Sequence, residues 1–271
     1  ETTVAVIKVM GTDSAGATFT VVSGTFTIDS TLPTNPTACT ATVSATDTTQ
    51  LADGLWQNLS AAPYFEWSGA TDTTSGVAWY AVYWGTDTAG VPVGTQTAAA
   101  YSAASAVPDG GIYYLRVRTQ DNAGNWSVGT TSFVCRYDVS IPANPTACTA
   151  AVSATNSTVI ASGTWQNIDA DPYFEWTGAA DTGSGVAGYT VYWGSDSGGE
   201  PGTTGGIQTT STYSATSAVP DGGTYYLRVR TWDKAGNWGT AAMLFSCRYD
   251  VSAPANPTAC TAAVSATNST V

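Results

Sequence analysis

One string governs the reading of this chain: NPTACTATVSAT, beginning at Asn35, returns as NPTACTAAVSAT at Asn144 and again from Asn256. The cysteines inside it, Cys39, Cys148 and Cys260, stand 109 and 112 residues apart. Between the copies PYFEW, GVAWYAVYWG, AYSAASAVPDGGIYYLRVRT, DNAGNW and FVCRYDVS recur as PYFEW, GVAGYTVYWG, TYSATSAVPDGGTYYLRVRT, DKAGNW and FSCRYDVS. The three extra residues of the second copy fall in the glycine-rich stretch between Trp193 and Tyr213, which is loop material. The chain is therefore two complete modules, 32–141 and 142–253, flanked by the fragments 1–31 and 254–271.

Within each module the apolar residues alternate with period two, as in Tyr113, Leu115, Val117 and in Tyr80, Val82, Trp84. Gly, Pro, Asn and Asp punctuate these runs, and no amphipathic helical stretch occurs. Short strands spaced by turn signals over a hundred-odd residues predict an all-β chain of tandem antiparallel β-sandwiches. A composition of 43% hydrophobic and 11% aromatic residues supports packed cores and argues against disorder.

The order PYFEW, then GYTVYWG, then VPDGGTYYLRVRT followed by DKAGN resembles the fibronectin type III and bacterial immunoglobulin-like modules of extracellular surface proteins. The resemblance implies a strand-B tryptophan at Trp67 and Trp176, a tyrosine opening strand C at Tyr80 and Tyr189, and a tyrosine corner at Tyr113 and Tyr225. It covers both full modules and speaks to architecture, since such modules are structural, adhesive or recognition units. Residues 1–31 align on the second half of a module, with DSAG at Asp13 standing where DNAG and DKAG stand later. They are expected to be the C-terminal part of a divergent preceding immunoglobulin-like domain, and 254–271 the first strand of a truncated third repeat. The stretch before strand B, holding Trp56 and Trp165, is longer than the family usually has and is expected to cover an edge or one end of the sandwich. Two prolines at each junction, in TLPTNPT, SIPANPT and SAPANPT, predict a restricted angle between neighbours and a semi-rigid rod.

Charge and missing residue types narrow the function. Eight basic residues against 20 acidic ones leave a net charge of −12, which cannot supply the basic footprint that nucleic acid requires. There is no histidine, so Ser-His-Asp and Cys-His catalysis and histidine metal ligation are closed. No run of 18 apolar residues is present, so no transmembrane segment is expected in this window. Opening at Glu1 inside a strand-like run, the sequence reads as part of a longer protein.

Two pairings of the cysteines fit the spacing. Either Cys39 bonds Cys135 and Cys148 bonds Cys247 within modules, or Cys135 bonds Cys148 and Cys247 bonds Cys260 across linkers. Phe26 occupies the place a cysteine would need ahead of the first linker, which favours the pairing within modules. Each such bond would join first strand to last, a closure worth roughly 4 to 5 kcal/mol on the chain-entropy model. It would place the chain outside the cell, at or near the cell surface.

Candidate sites are few. Glu66 and Glu175, on the strand face opposite Phe65 and Phe174, lack a convergent second carboxylate and read as cross-strand partners of polar neighbours. Asp72 with Ser75 and Gly76, and Asp121 with Asn125, recur as Asp181, Ser184, Gly185, Asp233 and Asn237. Such hard oxygen donors could hold Ca²⁺. The preferred reading is a turn whose side chains bond their own backbone, so no cofactor is expected. Alternation points Tyr114, Arg116 and Arg118 outward beside Tyr83, and Tyr226, Arg228 and Arg230 outward beside Tyr192. This set is either ordinary cross-strand stabilisation or a contact surface. Trp79, replaced by Gly188 in the second copy, is a candidate stacking residue for a sugar or a partner. Asn58, Asn125, Asn156 and Asn268 satisfy N-x-S/T, a weak glycosylation signal.

The expectation is a non-enzymatic, structural module array of an extracellular microbial fibre, stalk, sheath or surface layer, associating with itself or with neighbouring repeats. The alternative is an adhesin or carbohydrate-binding array, with glycans as partners and a secreted enzyme elsewhere in the parent protein.

Overall fold

A computed structural model describes residues 3–202 and 207–261. Every regular element among them is a strand, as the period-two pattern requires. No helix among the described residues is long and apolar enough to cross a membrane. The chain divides into two compact units. One comprises Glu1–Ala143, Ala179–Ala187 and Thr231–Gly239; the other comprises Asn144–Gly178, Gly188–Arg230 and Thr240–Val271.

The N-terminal segment is a hairpin in two steps. Strands β1 (Thr3–Ala5) and β4 (Phe26–Ile28) pair antiparallel, as do β2 (Lys8–Thr12) and β3 (Thr18–Val22). The tip is a DSAG turn in which the Asp13 carboxylate accepts the N–H groups of Ala15 and Ala17 at 2.9 and 2.8 Å.

The first repeat contributes β5 (Ala38–Thr42), β6 (Gln50–Leu51), β7 (Trp56–Gln57), β8 (Tyr64–Ser68), β9 (Val77–Gly85), β10 (Val93–Gln96), β11 (Ala100–Ser102), β12 (Gly111–Asp121) and β13 (Thr130–Tyr137). They form two sheets, β11-β8-β5-β6 and β10-β9-β12-β13-β7. Their inner faces meet around Phe65, Trp67, Leu115, Val117 and Phe133, with Cys135 buried among them and Cys39 packed against the cluster. Phe65 sits at the centre, its ring 5.0 Å from Trp84 and 5.5 Å from Phe133, and Trp67 meets Tyr80 edge-on at 5.5 Å. Glu66 and Thr40, opposite each other on β8 and β5, face out, and the Tyr64 hydroxyl donates to Glu66 at 2.9 Å.

The second repeat contributes β14 (Ala147–Ala151), β15 (Val159–Ile160), β16 (Trp165–Gln166), β17 (Tyr173–Thr177), β18 (Val186–Gly194), β19 (Thr212–Ser214), β20 (Gly223–Asp233) and β21 (Ala242–Tyr249). Its sheets are β15-β14-β17-β19 and β16-β21-β20-β18. The ring packing is reproduced: Phe174 lies 5.1 Å from Trp193 and 5.3 Å from Phe245, and Trp176 meets Tyr189 edge-on at 5.4 Å.

The long stretch before strand B does cover an edge. β7 adds to the outer side of β13 in parallel, with Trp56 opposite Arg136, and β16 adds to β21 in the same way. The corner expected at Tyr113 is formed, its hydroxyl donating to the Pro108 carbonyl at 2.9 Å. Tyr80 is the fourth residue of its strand, which opens at Val77. The stretch 254–261 carries no strand, and the rest of the expected third repeat, with Asn268, lies outside the described residues.

Candidate functional site

Strand ends converge at two clusters of three aspartates. Asp29 follows β4, Asp72 sits in the β8–β9 loop and Asp121 ends β12; Asp138 follows β13, Asp181 sits in the β17–β18 loop and Asp233 ends β20. Carboxylate oxygens of Asp29, Asp72 and Asp121 lie within 4.8 Å of one another, as do those of Asp138, Asp181 and Asp233. All six belong to the first compact unit.

The turn chemistry expected from sequence positions four of them. Asp72 Oδ1 accepts the N–H groups of Thr74, Ser75 and Gly76 at 2.7 to 3.0 Å. Burial works to raise the Asp72 pKa, but these three donors and the Ser75 hydroxyl outweigh it and hold the carboxyl below its usual range. Asp121 accepts the Asn125 N–H and the Asn125 Nδ2, each at 2.8 Å. Asp181 accepts the Gly185 N–H at 2.7 Å, and Asp233 accepts the Asn237 N–H and Nδ2. Gly124 and Gly236 hold φ near +97° and +93° in these turns, a region that glycine enters without steric cost.

Asp29 and Asp138 are the members that sequence reasoning missed. They are placed by the turns they meet: the Asn125 amide donates to the Asp29 carbonyl at 3.1 Å, and the Asn237 amide to the Asp138 carbonyl at 3.0 Å. Ser184 N–H donates to Asp138 Oδ2 at 2.6 Å. A Cβ on Gly183 would fall 2.5 Å from that carboxyl group, so any larger residue there would have to displace it. A signal was present in the sequence. FTID, CRYD and CRYD place Asp29, Asp138 and Asp250 at the same step before each proline linker. Each accepts the N–H two residues on, from Thr31, Ser140 and Ser252. Asn125, read as a glycosylation signal, already spends its amide on two acceptors.

The Tyr/Arg set takes the outward positions that alternation assigned, with Arg116 opposite Tyr83 and Arg118 opposite Ala81. The guanidinium ends bend back onto the module itself. Arg116 donates to the carbonyls of Thr88 and Gly129 and to the Thr131 hydroxyl. Arg118 lies 4.3 Å above the Trp126 ring. Arg228 donates to the carbonyls of Ser197 and Ala241 and pairs with Glu200 at 3.6 Å. Tyr83 and Tyr192 cover glycines: a Cβ on Gly90 or Gly199 would meet the ring at 2.1 to 2.2 Å, so the loop backbone can approach only without a side chain. Tyr114, Tyr226 and Arg230 are half-buried on the same strands. Trp79 is 42% exposed, while Gly188 at its place in the second repeat is buried.

All five cysteines are free thiols in this structure, so neither expected bond is formed in it. Cys39 lies against the cluster that buries Cys135, and Gln57 Nε2 reaches the Cys135 sulfur at 3.6 Å, as Gln166 Nε2 reaches Cys247 at 3.4 Å. Burial, helped by the Asp53 charge, pushes the Cys39 thiol up to about 12, and burial pushes Cys148 to about 11. Neither is a reactive thiolate at neutral pH.

An open groove of about 480 Å³ runs along β5 and β8, lined by Cys39, Thr40, Glu66, Trp67 and small neighbours. Its counterpart along β14 and β17 has about 110 Å³. Each groove holds one glutamate and no second carboxylate to work against it.

No protein-family profile matches the chain, and no curated protein does. Among solved structures, the chicken CNTN1 FN1–FN3 domains align with 88% of this chain and 76% of their own length, at 12% identity and a TM-score of 0.32. The fibronectin(III)-like modules of Clostridium thermocellum CbhA align with 78% of this chain and 94% of theirs, at 13% identity and a TM-score of 0.32. The fold therefore rests on the chain's own strand order and ring packing, and by these each repeat is a two-sheet β-sandwich.

Proposed function

We propose that the chain is a structural, non-catalytic module array of an extracellular microbial fibre, stalk, sheath or surface layer, whose partners are neighbouring repeats and further copies of the same protein. One observation carries this reading: what the two repeats share is spent on building and closing the sandwich. The shared parts are the central phenylalanine with its ring neighbours, the parallel edge strands β7 and β16, and the arginine anchors at Arg116 and Arg228. The exposed feature best suited to a ligand, Trp79, is the one the second repeat drops.

The bonds Cys39–Cys135 and Cys148–Cys247 belong to the same proposal. Strand β5 lies against β13 and β14 against β21, so oxidation outside the cell would tie the first strand of each module to its last. Non-reducing peptide mapping of native material, with electron microscopy of the same sample, tests both parts. The expected result is a Cys39–Cys135 cross-linked peptide from an ordered fibre or layer. A Cys135–Cys148 peptide would sink the pairing, and dispersed single chains in the native material would sink the structural role.

A further inference from the structure

Each aspartate trio gathers three carboxylates, and the first leaves two of their oxygens without a donor. Oxygens from three carboxylates share a space in which each lies within 4.8 Å of the others. Asp121, Asp138 and Asp233 are at most 1% exposed, so water does little to screen them. Among the described residues no lysine or arginine forms an ion pair with any of the six. In the first trio the Oδ2 atoms of Asp29 and Asp72 are each closed off from solvent and accept no hydrogen bond at all. Two carboxylate oxygens without donors, beside a third carboxylate, make a place that suits a positive charge. The turn hydrogen bonds described above satisfy other oxygens of the set and leave these two unsatisfied.

The trio is also built twice from unlike material. Asp29 ends FTID in the divergent N-terminal segment, whereas Asp138 ends CRYD, yet each meets the same pair of loop positions, Asp72 with Asp121 and Asp181 with Asp233. The aspartate is kept where its neighbours are not.

We propose that each trio binds one calcium ion. The donors are all hard oxygens, with neither imidazole nor thiolate among them, which excludes the usual zinc environment. Calcium takes carboxylate and carbonyl oxygens at about 2.3 to 2.6 Å in a flexible shell, so opposed ligands stand roughly 5 Å apart, whereas magnesium demands a tighter octahedron. In each trio an ion would tie the segment that follows one module's last strand to two loops of the next. The second site carries Lys234 at its rim, its Nζ 3.5 Å from where a Gly185 Cβ would stand, while Asn122 holds that place in the first.

The test uses the whole 271-residue chain, stripped with EGTA and titrated with calcium chloride by isothermal calorimetry, with thermal unfolding followed in parallel. The expected result is two calcium ions per chain and an unfolding temperature that rises as they bind. Asp29→Asn should weaken one site roughly tenfold or more and Asp181→Asn the other, because each removes a charged ligand. Asp13→Asn, in a matching turn outside both trios, should leave both sites intact. Circular dichroism of the stripped variants checks their folding, and Asp72→Asn and Asp138→Asn replace any that fails. Absence of binding to the folded wild-type chain at about 10 mM calcium, well above the range of extracellular modules, overturns the proposal. So does undiminished two-ion binding in the Asp29 and Asp181 variants, and an equal response to magnesium overturns the choice of ion.

Discussion

The β2–β3 hairpin and the β12–β13 hairpin start from the same instructions and end in different environments. Both turn at Asp-x-Ala-Gly, with Gly16 and Gly124 at positive φ, and both run on to an aspartate that joins a trio. Yet Phe19 and Met10 in the first are 61% and 64% exposed, whereas Leu115 and Val117 in the second are fully buried. Phe26, 43% exposed, stands where Cys135 is buried at 1%. The turn and the terminal aspartate are local properties of the chain. Burial is not: it comes from the sheet β11-β8-β5-β6 lying over β12 and β13, and the first hairpin has no such sheet among the described residues.

The contrast can be broken by experiment, most sharply by truncating one ring in each hairpin. Phe133→Ala, in the core beside Phe65, should cost about 3 to 5 kcal/mol in urea unfolding of the repeat. A loss under about 1 kcal/mol would mean that the opposing sheet contributes little.

A smaller effect separates Cys135 and its core neighbour Cys39 from Phe26. A buried thiol keeps its proton in the folded chain to higher pH than in the unfolded one. Under reducing conditions stability should therefore be complete below pH 9 and fall as pH rises toward 12, the value to which burial pushes Cys39. Cys39→Ala should flatten that alkaline limb, and so should oxidation to a disulfide. A limb unchanged in Cys39→Ala would remove the thiol as its cause. Next in size, Tyr113→Phe removes the hydrogen bond to Pro108 and should cost about 1 kcal/mol. Smallest of all, Phe19→Ala should change stability by no more than about 0.5 kcal/mol. A larger loss would show that the first hairpin is buried in solution.

These contrasts also mark where the sequence could be read. Alternation along Tyr113, Leu115 and Val117 identified strand, inner face and core, because a strand's period depends only on its own residues. Alternation in PYFEW set Phe65 on the face opposite Glu66, and that face is the buried one. Alternation also said that Arg116 points outward, but not that its long side chain doubles back to the Thr88 and Gly129 carbonyls. Where such a side chain ends depends on loops that the period does not describe. The trios showed only in part for a related reason: Asp72 with Asp121 and Asp181 with Asp233 were legible as recurring loop donors, but Asp29 and Asp138 were not. Asp29 and Asp72 are 43 positions apart and carry no shared pattern, so only the folded course of the chain brings them together.

A chain of near-identical sandwiches carries a hazard in its own redundancy. A strand from one copy fits its neighbour's partner almost as well as its own, and the tether holds the neighbour at high effective concentration. The short parallel strands β7 and β16 bear on that risk. Each occupies the free backbone of the last strand, at β13 and β21, the rim onto which a stray copy would otherwise add. At the opposite rim of the first repeat, β10 pairs with β9 through a register shift between Val93 and Gln96, a poor template for a straight strand. Short strands at the rims thus stand where pairing between copies would otherwise begin.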